Sequence, residues 1–356
     1  MGSQGLAAAV AIVGGVVLAV LLFVPFAAVR YRREGRLTAA ALSGLVSVTV
    51  YGLALWTYTL LPLPDPASYA CKPALTQPFG FVSDIRAEAA GGPVDLLRNP
   101  AFLQVVLNVA LFVPLGVLLR VLARRGVAVA AAVGLGTSLL IELTQLTGIW
   151  GVYDCAYRYF DVDDLIANTT GAVVGSVAAG AVVRLLPDRR PRERVEGISR
   201  GRRVVAMVSD VLVVLIVGSV AVVAWRAWML LGRDVPVGDI DPVDQARVQW
   251  GVPLVLEALW VLAWGRTIGE AAVAVRAVPR RRRLVVPARI VKLVTGVGAF
   301  CVLAAWDDPV AEWALVAFVL VTVAAALVVP TRGLSDALAG MDLEVGAPPS
   351  DPDPPG

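Results

Sequence analysis

In a chain of 356 residues, 58% hydrophobic against 17% charged side chains exclude a water-soluble globular protein: there is too little polar surface to cover so many bilayer-length apolar runs. The net charge of +3 reflects arginines clustered beside those runs, which suits anionic lipid head groups and calls for no nucleic-acid partner. Histidine is absent, which removes His-based acid–base catalysis, Ser-His-Asp triads and the commonest metal ligand; three cysteines build no Cys-rich centre, so no metal and no cofactor is expected.

Nine apolar segments predict an all-α polytopic transmembrane helical bundle, at roughly 6–29, 37–61, 100–119, 126–148, 163–186, 204–226, 248–264, 290–306 and 309–330. The seventh and eighth are short for a span, and they carry Pro253 and Glu257 or Lys292. The spans group into two modules. An N-terminal anchor helix with its basic loop covers 1–36, a four-helix module covers 37–186, a cytoplasmic linker rich in Pro and Arg covers 187–202, and a second module covers 203–345. The Pro- and Asp-rich tail, 346–356, is expected to be disordered. The 62–99 loop, with its Pro and Gly content, argues against a folded domain, although Phe79, Phe81 and Val82 suit a membrane surface.

Basic residues fix the expected sidedness, because Lys and Arg flanking short loops are retained in the cytoplasm. On a nine-span topology 24 of the 31 fall on one side, which predicts an outside N-terminus and a cytoplasmic C-terminus. All but Lys72 and Lys292 are arginine, and Ala, Val and Gly abound, as in a GC-rich bacterial genome. A multi-pass protein of the bacterial plasma membrane is the expectation. Cys71 and Cys155 both fall in outward loops, where oxidising conditions permit a disulfide; two free thiols are the alternative. Cys301 lies within a span and is expected to pack.

Three polar patterns interrupt the apolar helices: Asn108-x3-Phe112-x-Pro114-x-Gly116, Glu142-x2-Gln145, and Arg158-x2-Asp161-x2-Asp164-x3-Asn168-x2-Gly171-x3-Gly175. Burying an amide or carboxylate in hydrocarbon costs roughly 2 to 3 kcal/mol even on lenient scales, so such residues face a partner or a cavity. At about 1.5 Å per residue, Asn108, Glu142 and Asn168 all sit roughly 10 Å below the outer surface. Asp164, Asn168, Gly171 and Gly175 share one helical face, polar at its outer end and small-sided below, where another helix can approach. Pro114 lacks an N–H and should disturb the bond to the Ala110 carbonyl beside Asn108 and Gly116. A bland account stands beside the functional one: Asn and Gln join helices, Gly-x3-Gly packs, and Arg158 with Asp161 is an exposed pair of little weight.

These residues, in this order, resemble the VanZ-like family of bacterial membrane proteins over roughly 40–186, with Tyr51 and Leu60-Leu61-Pro62 suiting its first helix. The resemblance implies an association with resistance to the lipophilic glycopeptide teicoplanin. Beyond the linker, Arg203-x2-Ala206-x3-Asp210, Gly265-Arg266-Thr267-Ile268-Gly269 and Arg332-x3-Asp336, with the closing Gly340 and Met341–Val345, resemble the RDD family over roughly 198–345. That resemblance implies a link to ion transport. Arg203, Asp210, Arg266, Arg332 and Asp336 are expected to form Arg–Asp contacts at the inner rim, either pinning helices or, with Glu257, relaying ions.

Three functions follow. In the first, an outer pocket binds an amphiphile, such as a membrane lipid, a lipid-linked cell-wall precursor or a lipophilic antibiotic. Arg158 pairs with its phosphate or carboxylate, while Asn108, Gln145 and Asn168 hydrogen-bond its polar groups. In the second, Glu142 is the general base of a lipid-modifying enzyme, with Asp161 or Asp164 orienting a substrate or a metal, for which Asp161-Val162-Asp163-Asp164 is a weak signal. In the third, Asp210 and Glu257 serve a transporter, although neither inverted repeats nor a broken helix pair is evident. Amphiphile binding is the reading carried forward.

Overall fold

The computed structural model describes residues 3–65, 68–88, 96–185, 198–328 and 333–345. Among them nine helices are long and apolar enough to cross a membrane, and strands are few and short, so the chain is an all-α, multi-pass membrane protein. It divides into two compact units, residues 1–19 with 40–191 and residues 20–39 with 192–356. The predicted tail, Arg332 and residues 187–197 of the predicted linker lie outside the described residues.

The first unit contains the start of α1 (Ser3–Glu34), α2 (Ala39–Leu60), β1 (Ala74–Leu75), α3 (Gly80–Glu88), α4 (Pro100–Val121), α5 (Val127–Leu146), β2 (Phe160–Asp161) and α6 (Val162–Leu185). Its closest packing is between α4 and α6, which run parallel with almost no side chain between them. A Cβ on Gly171 would collide with the Val109 carbonyl, on Gly175 with the Val113 carbonyl, and on Gly116 with the Ala172 carbonyl and the Ser176 N–H. Lipid supplies no hydrophobic drive between helices, so such small-residue faces gain their cohesion from close van der Waals contact. Phe112, fully buried, packs with Leu55 and Ile141 and so ties α2, α4 and α5 together. The helix α4 runs through Pro114 without interruption, and the Tyr51 hydroxyl donates 2.9 Å to the Leu111 carbonyl close to that proline.

The 62–99 loop holds more order than its composition predicts. β1 pairs in parallel with β2 at Ala74–Phe160 and Leu75–Asp161, and a disulfide joins Cys71 to Cys155. α3 is clamped at both ends. The Asp163 carboxylate accepts from the Phe79 and Phe81 N–H groups at 2.5 and 2.9 Å, while the Asn99 amide donates to the Ile85 carbonyl at 3.0 Å. Asn99 also caps α4, accepting from the Phe102 N–H ahead of a proline at the first helical position.

The second unit contains α7 (Arg200–Ala227), α8 (Pro242–Trp264), α9 (Ile268–Ala272), β3 (Val275–Pro279), α10 (Val285–Thr295), α11 (Val297–Ala305), α12 (Pro309–Val328), α13 (Leu334–Leu338) and β4 (Met341–Val345). Ser199 caps α7 and Asp241 caps α8, so the seventh span starts at Pro242 rather than near 248 and reaches full length. Gly265, left-handed at φ 72°, ends it. The eighth span is longer than predicted as well, but it breaks into α10 and α11 at Gly296.

β3 and β4 form an antiparallel pair in segments that the nine-span reading leaves between and after helices. Val275, Ala277, Met341 and Leu343 face a core with Val273 and Ala288, while Arg276 pairs with Glu344 and Arg280 with Asp342 on the exposed face. Those exposed pairs add little stability.

Asp163→Ala should release α3. Each hydrogen bond to its carboxylate contributes on the order of 1.5–3 kcal/mol, so amide exchange at Phe79 and Phe81 should accelerate by at least about tenfold. The remaining exchange map should be unchanged. By contrast, Gly175→Leu should prevent α4 and α6 from docking, and gel filtration of the detergent-extracted protein should show loss of the monodisperse folded species.

Candidate functional site

The three helices expected to share a polar level do converge through named contacts. On α5, Ser138, Glu142 and Gln145 lie at spacings of four and three residues, one face of the helix, and all are buried. The Asn168 amide donates 2.9 Å to the Ser138 hydroxyl, which reaches the Asp164 carbonyl at 3.5 Å. The Asn108 amide donates to the Asp164 carboxylate, and Gln104, one turn earlier, also interacts with it. Glu142, only 2% exposed, accepts 2.9 Å from the Asp161 N–H. Asn108 and Asn168 are thus linked through residue 164 and Ser138, with Glu142 one turn beyond Ser138. Asn168 Oδ1 is buried with no hydrogen-bond partner among the described residues, and Asn168 is 4% exposed.

Gln145 and Arg158 act at the end of α2. The last carbonyls of a helix have no partner within it. Here the Gln145 amide donates 2.8 Å to the Thr59 carbonyl, the Tyr157 hydroxyl 3.1 Å to Leu60, and the Arg158 guanidinium 3.0 Å to Leu61. A further hydroxyl, Tyr153, donates to the Pro64 carbonyl at 3.1 Å. Pro62 cannot continue the helix, and these side chains supply the donors it lacks. Arg158 remains partly exposed, and a guanidinium has five N–H donors, so its contact with Leu61 leaves capacity at the surface.

Three carboxylates therefore lie close together: Glu142, Asp161 and Asp164. Burial pushes the Asp161 carboxyl above its ordinary value; the Asp163 N–H bonded to it at 2.8 Å opposes this, and the charges of Asp163 and Asp84 add to it. Ser138 and Asp163 were not singled out from the sequence. Ser138 was within reach of the same logic, four residues before Glu142, whereas the tie from Asp163 to Phe79 and Phe81 spans more than 80 residues and has no local signal.

Among the described residues expected at the inner rim, Asp210 accepts from the Gly269 N–H at 2.5 Å and the Thr267 hydroxyl at 2.8 Å, and Asp336 accepts from Lys292 and from the Gly333 N–H. The centre of the cluster is Lys292, 1% exposed, which also donates 2.6 Å to Glu270. Lys292 had been read only as a weakness in its span. Glu257, fully buried, accepts 3.3 Å from the Ile268 N–H. Arg203 is buried and feels the charge of Asp336, while Arg266 is partly exposed beyond the α8 cap.

The first unit has a family counterpart. Residues 48–183 match the VanZ/LLP1 family model. The VanZ/LLP1 region runs from within α2 to the end of α6 and contains every residue of the polar network, as well as Cys71 and Cys155. No curated protein and no solved structure matches the chain. Among the described residues no group of three His, Cys, Asp or Glu is placed to hold a metal ion.

The raised Asp161 carboxyl has a pH consequence. The folded state holds that proton more readily than the unfolded chain does. Its contribution is therefore largest at acid pH and declines as pH rises from the ordinary value of 3.8 toward the raised one. Asp161→Asn should flatten this part of the pH dependence of thermal unfolding. An unchanged profile would remove Asp161 as its source.

Proposed function

We propose that this protein lies in the bacterial plasma membrane with its N-terminus outside and its C-terminus in the cytoplasm. Its VanZ-like half binds the polar head of an amphiphile at the end of the bundle that carries Glu142, Arg158 and Asp161. The supporting observation is the convergence of Asn108, Ser138, Glu142, Asp164 and Asn168 from three apolar helices, with the buried amide oxygen of Asn168 unmatched among the described residues. A bare helix-packing seam needs no such concentration of carboxylates.

The chemistry favours a head group rich in hydroxyl and amine donors. Three neighbouring carboxylates accept such donors and repel an unaccompanied phosphate, while Arg158 supplies the contact for an anionic part at the rim. Lipid-linked cell-wall precursors and lipophilic glycopeptides both carry polar groups of this kind beside an apolar chain. The sidedness rests on the asymmetry of basic residues, which puts this end of α2, α5 and α6 outside. Binding is preferred to catalysis because the Glu142 carboxylate is hydrogen-bonded to a backbone N–H and not to a hydroxyl that it would activate. The RDD-like reading of the second half, with Asp210 and Glu257 as relays, rests on its sequence pattern.

Mass spectrometry of lipids retained by the purified protein tests the proposal. Replacing Glu142 and Arg158 together by Gln and Ala should weaken retention of one amphiphile by at least about tenfold, the loss of roughly 1.4 kcal/mol. The same variant should abolish any teicoplanin tolerance conferred by the gene. An unchanged lipid complement together with unchanged susceptibility would refute this reading.

A further inference from the structure

A cavity of about 150 Å³ lies within the second unit. That is the size of an engineered protein cavity that accepts benzene. Its lining combines apolar side chains, Val214, Val297, Phe300 and Phe318 among them, with charged ones. Among the described residues that line it, Arg203 and Lys292 stand with Asp210, Glu270 and Asp336, two cations to three acids.

The excess can be located. Lys292 donates to both Glu270 and Asp336, and Arg203 interacts electrostatically with Asp336, so these four form a neutral set. Asp210 is held differently, by the Gly269 N–H and the Thr267 hydroxyl, neutral groups that orient its carboxyl without supplying a counter-charge. Glu257 adds a second acid next to that segment through the Ile268 N–H, and its Oε1 is buried without a hydrogen-bond partner among the described residues. Asp210 is ten residues into α7, about 15 Å along the helix, where an uncompensated charge is expensive. A bound cation would relieve that cost.

The backbone gives an independent sign. Gly296, which lines the cavity, takes φ −110° and ψ −115° and breaks the eighth span. Non-helical backbone within a membrane span is tolerated where it is buried in protein or lines a cavity, and broken helices supply carbonyl acceptors to bound cations. Two aromatic residues in the lining, Phe300 and Phe318, also suit a cation attached to an apolar body.

We propose that this cavity binds a small organic cation, an ammonium group on an apolar body of roughly benzene size, with Asp210 as its counter-ion. Phe300, Phe318 and Val214 enclose the apolar part. Lys292 is not the anchor: its two carboxylates keep it from repelling the ligand. The site is separate from the amphiphile reading of the first unit and stands if that reading fails.

Calorimetry on the full chain in lipid nanodiscs tests this with benzylammonium and its neutral counterpart, benzyl alcohol. The wild-type protein should bind benzylammonium saturably and at least about tenfold more tightly than benzyl alcohol. Asp210→Asn should bring the two probes to equal affinity, and Val214→Trp, which fills the cavity, should lose both while keeping the wild-type melting profile. Absence of saturable benzylammonium binding to the wild type, or equal affinity for the two probes, overturns the proposal. So does full binding by Val214→Trp. If Asp210→Asn does not fold, the paired probes on the wild-type chain still decide.

Discussion

Carboxylates held by backbone N–H groups are the interaction on which both units depend. Glu142 accepts from Asp161, Asp163 from Phe79 and Phe81, Asp210 from Gly269, Glu257 from Ile268, Glu270 from Thr267 and Asp336 from Gly333. Removing a charge from water costs several kcal/mol, and fixed N–H dipoles repay part of it without a counter-charge. Glu270 and Asp336 cap their own short helices, but in the other pairs acceptor and donor belong to different elements, so each of those bonds also fixes a loop or a short helix against a span.

This constraint explains where regular structure appears outside the long helices. α3 begins where Phe79 and Phe81 meet Asp163, and α9 begins where Asp210, Glu257 and Glu270 meet residues 267–269. A helix N-terminus offers unpaired N–H groups and a positive dipole end, and a buried carboxylate needs both. At the other pole of a helix the complement operates. The carbonyls at and just beyond the end of α2 take donors from Gln145, Tyr157 and Arg158. Residues that a functional reading assigns to a ligand therefore also complete the backbone, and any ligand must use the capacity that is left.

Much of this was legible in the sequence. Hydropathy and length give the nine spans and the all-α class, because a helix crossing lipid must be apolar over its whole length. Helical spacing put Asp164, Asn168, Gly171 and Gly175 on one face, and the glycines indeed contact α4 backbone. What failed was nonlocal. An acidic side chain announces that it needs a partner, but not which one, and Asp163 finds its donors more than 80 residues away. Lys292 looked like a flaw in a span because Glu270 and Asp336 lie 22 and 44 residues distant. The β3–β4 pair was hidden because two five-residue strands with alternating burial are overshadowed by the arginine run between them.

Amide hydrogen exchange at Asp161, read by mass spectrometry or NMR in a lipid bilayer mimetic, tests the central claim most directly. If the Glu142 carboxylate holds that N–H, Asp161 exchanges slowly in the wild-type protein, remains protected in Glu142→Gln, and loses protection by at least about tenfold in Glu142→Leu. Exchange at Asp161 as fast as in an open loop of the wild-type chain, or equal protection in Glu142→Leu, would contradict the account.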